Sequence, residues 1–339
     1  MKNSFGNSIT LTLFGESHGP AVGCTIDGLA PGMEVNTDII ADMLSRRRPD
    51  ARLDTTRVEA DDFRIVSGVY CGHATGTPLT IVIPNTDTAS SDYSEMKEKA
   101  RPSHADYTAY EKYHGFQDYR GGGHFSGRIT AALVAAGGIF IPALLKSGIT
   151  IKTEIIKLGA ATSEADINDI IEAMKKQQDS IGGIIRTTVT GVPAGVGEPW
   201  FDSLEGMLSH AVFSIGGIKG IQFGAGFEFA RMTGSIANDP FYMDGDRVKT
   251  RTNNSGGING GISNGMPIVF DCVVKPTPSI AQEQATVNFI TKEDTTLTIH
   301  GRHDPAIIRR ICPVVDSVTA LVISDALATR FGTDYLYTE

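Results

Sequence analysis

Hydrophobic and polar residues change their spacing in a regular order along the chain. Residues 8–14 alternate, are rich in β-branched side chains, and predict a strand; residues 21–27 predict a second, closed by Asp27-Gly28. Over 37–48 the period becomes helical. Ile39, Ile40, Met43 and Leu44 share a face, Thr37 is placed to cap the start, and Pro49 stops the end. Strand patterns return at 63–70 and 79–84, followed by a long polar stretch over 85–103 and a short helical segment over 107–113. Residues 128–146 are apolar on every face and predict a helix buried all round.

The second half repeats this vocabulary. Strands are expected over 149–158, 183–192, 220–227 and 266–274, and a polar loop over 228–256. Helices are expected over 163–178, capped by Thr162 or Ser163, over 202–215, and over a long apolar run at 306–330. Short turns between strands favour antiparallel pairing, and all-round apolar helices need cover on both sides. The expected class is α+β, with antiparallel sheets enclosing long buried central helices. The chain reads as one large domain over 1–339, with two pseudo-symmetric halves at about 1–148 and 149–339, although no sequence repeat is visible.

Composition narrows the functional classes. The net charge is −9, which argues against a nucleic-acid partner because such partners need a basic face. Cys24, Cys71, Cys272 and Cys312 are far apart and form no CxxC pair, so free thiols in a reducing cytosol are expected. No histidine pair has metal-ligand spacing, and no metal is expected. Gly137, Gly138 and Pro142 interrupt the longest apolar stretch, so no run is expected to approach the ~20 residues of a membrane span. With no signal-peptide pattern at the start, the expectation is a soluble cytoplasmic protein without a membrane partner.

Candidate chemistry concentrates in residues 101–128. Arg101-Pro-Ser-His104-Ala-Asp106 leads to Arg120-Gly121-Gly122-Gly123-His124-Phe125-Ser126-Gly127-Arg128. Glycines let backbone N–H groups turn toward an anion, arginine adds planar donors, and histidine moves protons near neutral pH. The pattern is neither a P-loop, which needs Gly-Lys-Ser/Thr, nor a dinucleotide fingerprint, which needs an apolar strand leading in. His18, in Gly15-Glu16-Ser17-His18-Gly19, lies in a comparable turn. From the residues alone, these turns read as an anion-binding site with acid–base chemistry, with a flexible surface loop before a core helix as the alternative that remains open.

Nine motifs in order resemble the chorismate synthase family: the 15–19 turn; Arg46-Arg47-Arg48-Pro49; Ser67-Gly68-Val69 with Thr75-Gly76-Thr77-Pro78; Asn85-Thr86-Asp87; Arg101 to Tyr107; Asp118 to Gly123; Gly257 to Ser263; Lys275-Pro276-Thr277; and Gly301-Arg302-His303-Asp304-Pro305. The resemblance implies a β-α-β sandwich and a lyase of the shikimate pathway of aromatic amino-acid biosynthesis. The implied reaction takes 5-enolpyruvylshikimate 3-phosphate to chorismate and phosphate by 1,4-anti elimination. It needs reduced FMN, with NADPH a possible reductant, and a homotetramer is implied.

The resemblance also carries residue roles. It implies catalytic roles for His18, His104, Asp304, Ser17 and Ser126. It implies FMN contacts at His124, Phe125, Ser126, Ala237, Asn238, Gly260, Lys275, Pro276, Thr277, Pro278, Ser279 and Arg302. Arg47, Arg52, Arg101 and Arg128 match positions that bind substrate or NADP. Many family members carry Arg-Ser-Ser-Ala-Arg after the three glycines; His124-Phe125 departs from that pattern and replaces an always-charged donor by a titratable one.

Overall fold

A computed structural model of the chain describes residues 2–49, 60–86, 96–299 and 304–337. Two antiparallel sheets face each other across a layer of helices. The first has five strands in the order Ser4–Phe5, Thr10–Gly15, Ala21–Asp27, Leu79–Pro84 and Arg64–Ser67. The second has four, in the order Ile218–Phe223, Ile268–Val274, Gly183–Thr190 and Thr150–Leu158. Every pairing in both sheets is antiparallel, as the short connections predict. Alternation buries Leu79, Ile81 and Ile83 on the inner face of one sheet, and Ile185, Thr187 and Val189 on that of the other.

Between the sheets, the helix Thr130–Lys146 packs on the first sheet and on the helix Thr37–Arg47. The C-terminal helix Ile308–Phe331 packs on Thr130–Lys146 and on the second sheet, with Leu204–Phe213 beside it. One continuous apolar cluster runs from Ile9 to Leu336 through all of these layers. Gly137 and Gly138 do not interrupt the first core helix. They let its neighbours approach: a Cβ on Gly137 would lie 2.1 Å from Ser317 Oγ, and one on Gly138 would lie 2.8 Å from Ile40 Cα. Two of these helices therefore do reach the length and apolarity of a membrane span, over Gly127–Lys146 and Ile308–Phe331, against the sequence expectation. Most of each is buried inside the protein (72% and 89%), as core helices are.

Other local expectations shift for identifiable reasons. Asn36, and not Thr37, caps the first helix, its side chain accepting from the N–H groups of Asp38 and Ile39. Ser163 caps Glu164–Gln177 as expected. The 63–70 strand breaks at Gly68 (φ +83°), where a Cβ would lie 2.4 Å from Leu79 Cα. The 228–256 stretch is not loop throughout: it holds a hairpin, Phe241–Asp244 with Arg247–Thr250. A second unforeseen hairpin joins Gln284–Asn288 to Glu293–Leu297.

Two carboxylates on the C-terminal helix are buried. Asp325 accepts from the backbone N–H groups of Asn7, Ser8 and Ile9 at 2.7–2.9 Å, tying the first strands to the helix. Asp316 is less well served. Its Oδ1 has no partner among the described residues, Arg46 lies 3.8 Å from Oδ2, and burial raises its carboxyl pKa to about 6. A carboxyl raised in the folded state destabilises as it ionises, so stability falls as pH rises from about 4 through about 6. Asp316→Asn is expected to raise the melting temperature at pH 8, by the equivalent of about 1–3 kcal/mol, and to do less at pH 5. Equal effects at both pH values in thermal unfolding would contradict this.

Candidate active site

The three consecutive glycines adopt positive φ (57°, 81° and 54° at Gly121, Gly122 and Gly123), a run that side chains would strain. The turn is packed from several directions. A Cβ on Gly121 would lie 2.3 Å from both Cε1 and Nδ1 of His18 and 2.9 Å from Ser17 Oγ. One on Gly122 would lie 3.2 Å from His104 Cε1 and 3.4 Å from His104 Nε2. Ser17 N–H donates to Gly123 O at 3.1 Å, and the His124 ring N–H (Nδ1) donates to Gly15 O at 2.7 Å. Residues far apart in sequence thus converge on one glycine turn. Ser17 and His18 are buried there.

His104 is held by charge. Its Nδ1 lies 2.8 Å from Asp106 Oδ1 and 2.9 Å from Arg101 Nη2. A carboxylate can only accept, so the proton sits on Nδ1, and the guanidinium bonds to Asp106 instead. Arg101 does so bidentately, Nε to Oδ2 at 2.8 Å and Nη2 to Oδ1 at 2.7 Å. Burial pushes the Asp106 carboxyl up, but the bonds from Arg101 and His104 outweigh it and hold the carboxyl well below its ordinary range. His104 Nε2 is left on the side of the glycine turn.

The second half of the chain closes on the same residues. Lys275 Nζ donates to Ser103 O at 2.5 Å and to Ser103 Oγ at 2.9 Å, while Ser279 Oγ lies 3.5 Å from Arg101 Nη1. Burial, with help from Lys219, pulls the Lys275 ammonium pKa down. Ser17 Oγ, Thr277 Oγ1 and Asp304 Oδ1 are buried without a partner among the described residues. Orphaned polar atoms of this kind suit a polar ligand better than an apolar one.

A buried arginine cluster lies alongside. Asp61 Oδ2 accepts from Arg47 Nη2 at 2.9 Å, and Asp61 Oδ1 pairs with Arg128 Nη1. Arg128 Nε donates to Asn85 Oδ1 at 3.0 Å and Nη2 to Pro84 O at 3.1 Å. Asn85 Nδ2 in turn donates to the carbonyls of Glu16 and Gly19, flanking His18. Arg310 joins Asp304 to this cluster, donating from Nη1 to Asp304 Oδ2 at 2.6 Å and from Nε to Arg47 O at 3.1 Å. The arrangement offers a fixed imidazole at the glycine turn and, linked to it through Asn85 and Arg310, cations for an anionic group and a carboxylate oxygen.

Comparison with known proteins gives the family. The sequence model of the chorismate synthase family matches residues 9–328. The chain belongs to the chorismate synthase family. It is 43% identical to a chorismate synthase of Dehalococcoides mccartyi, covering 98% of each chain, and 42% identical to one of Thermococcus gammatolerans, covering 96% of this chain and 97% of the relative. A chorismate synthase of Chitinophaga pinensis is 45% identical over 95% of this chain and 96% of its own. A solved structure described as a crystal structure of chorismate synthase superposes with a TM-score of 0.75 at 25% identity, covering 97% of this chain and 94% of that one.

Of the positions that match family motifs, Ser17, His18, Arg101, His104, His124, Lys275 and Ser279 are joined through the glycine turn and the His104 segment. Arg47, Arg128 and Asp304 belong to the neighbouring ionic cluster. Ser126 Oγ accepts from Arg128 N–H, which starts the turn into the core helix. Phe125 is half-exposed and meets Tyr113 edge to face at 6.1 Å. Ala237 and Asn238 bond within their own excursion, Ala237 O accepting from Asn254 Nδ2 and Asn238 N–H donating to Gly234 O. Gly260 lies open, with no atom within 4 Å of where a Cβ would stand. Arg52 and Arg302 lie outside the described residues.

Sequence reasoning missed three members of the cluster. Asn85 lies in a motif noticed for its pattern but given no role, and Arg310 is one helical cation among several. Asp61 carried no distinguishing signal, because it stands in an acidic cluster, Glu59-Ala60-Asp61-Asp62, well past the arginine-rich helix end.

Proposed function

We propose that this chain converts 5-enolpyruvylshikimate 3-phosphate to chorismate and phosphate, a 1,4-anti elimination run with FMN held in its reduced form. The observation that carries the reading is the His104–Asp106–Arg101 constellation, set against the glycine turn in a chain that the chorismate synthase family model matches over residues 9–328. The substrate carries two carboxylates and a phosphate, and a protein of net charge −9 needs a local cation cluster to bind it.

The residues present suit FMN: Lys275 to Ser279 with the orphaned Thr277 Oγ1, together with His124, Phe125 and Ser126, would hold it, with Arg302, Ala237, Asn238 and Gly260 as further contacts. When bound, reduced FMN would supply the electron density that eases C–O cleavage. The protein's share is placement and proton handling. His104, its Nδ1–H fixed on Asp106, presents Nε2 as the atom that takes up and passes on a proton; Asp304 offers Oδ1 as an acceptor; His18 and Ser17 meet the leaving phosphate. Arg47, Arg52, Arg101 and Arg128 orient the anionic groups, and the buried setting strengthens each contact by excluding water.

An anaerobic assay tests this directly: chorismate should form with dithionite-reduced FMN and not without flavin. Flavin binding without product would favour a non-catalytic flavoprotein, and product without flavin would overturn the FMN assignment. NADPH in place of dithionite decides whether the chain reduces its own flavin. A homotetramer in the cytoplasm completes the proposal, and light scattering reads the assembly state.

A further inference from the structure

Asp61 stands out among the buried charges. Its side chain is 0% exposed, its backbone is left-handed (φ +54°), and it bridges two arginines that are themselves buried. An aspartate in that backbone region costs on the order of 1 kcal/mol and persists only where its surroundings hold it. Arg47 would be costly here without it. Burial and the charges of Arg310 and Arg128 all disfavour the Arg47 cation, and Asp61 opposes them.

The partners are not equivalent. Arg128 has three of its nitrogens engaged, by Asp61, Asn85 Oδ1 and Pro84 O, so it is fixed by the protein. Among the described residues, Arg47 is held at Nη2 alone, and its buried Nε has no partner. Asp61 thus transfers the fixed position of Arg128 to Arg47 and leaves one Arg47 edge to meet an anion. Arg310 links Arg47 O to Asp304, so the same placement reaches the candidate acid.

We propose that Asp61 is a positioning residue that orients Arg47, through Arg128, to receive an anionic group of the substrate. The proposal rests on the functional reading above. It also excludes a competing role, in which Asp61 fills the anion site until substrate displaces it: a fully buried carboxylate held by two guanidiniums, three residues before the strand Arg64–Ser67, is built in.

The test compares FMN-loaded wild type with Asp61→Asn. KM for 5-enolpyruvylshikimate 3-phosphate should rise about tenfold with kcat within about threefold, and inorganic phosphate should bind about tenfold more weakly by calorimetry. In an Arg47→Lys background Asp61→Asn should add little, because both act on one contact. Unchanged or lower KM and phosphate Kd, or full additivity, would overturn the proposal. If Asp61→Asn is not recovered folded, Asp61→Glu keeps the charge and shifts it by one methylene. A KM rise of about threefold or more is then expected, and an unchanged KM overturns the idea. Wild type that makes no chorismate would sink the functional reading, while the phosphate measurement would still decide the role of Asp61.

Discussion

His104→Ala should lower turnover by about 10²- to 10⁴-fold, the range for loss of a positioned proton-transfer group, while KM stays within about threefold. The ring is tied by Nδ1 to Asp106 and presents Nε2 toward the glycine turn, so it contributes at an atom and adds little to substrate binding. Asp106→Asn should cost less, because the ring remains while its tautomer is no longer fixed by a carboxylate. Steady-state kinetics with reduced FMN under anaerobic conditions separate these outcomes. Unchanged kcat in His104→Ala would remove His104 from the proton path, and a rise confined to KM would reassign it to binding.

The two core helices and the strands between short turns were legible because burial writes itself into period and composition. An all-apolar run such as 131–145 can only be covered from both sides. Gly137 and Gly138 misled because a glycine in a pattern signals a break or a close contact equally well, and only the positions of Ser317 and Ile40 decide which. The hairpins at 241–250 and 284–297 were illegible for the opposite reason. Much of their surface is exposed, so alternation leaves only a weak apolar face, although Asp244-Gly245 does mark the first turn. At the site, motif order pointed to His18, His104 and Lys275. It could not point to Asp61 or Arg310, whose significance lies in what each one holds: the guanidiniums of Arg47 and Arg128 for Asp61, and Asp304 with the Arg47 carbonyl for Arg310.

Gly121→Ala is the sharpest test of the turn. Alanine can adopt a left-handed φ at a cost of about 1–2 kcal/mol, so the protein should fold with only a modest loss of melting temperature. Its Cβ, however, would stand 2.3 Å from the His18 ring and 2.9 Å from Ser17 Oγ, and one of these must give. A displacement of about 1 Å in a positioned group can cost about 10²-fold, so kcat should fall by that order with a far smaller change in stability. Gly127→Ala is the matched control. A Cβ there meets nothing within 4 Å and its φ is not left-handed, so activity should stay near wild type. Near-wild-type turnover in Gly121→Ala would mean that the His18 ring moves aside without consequence. The glycine turn would then serve the backbone alone, and His18 would lose its claim to the leaving phosphate.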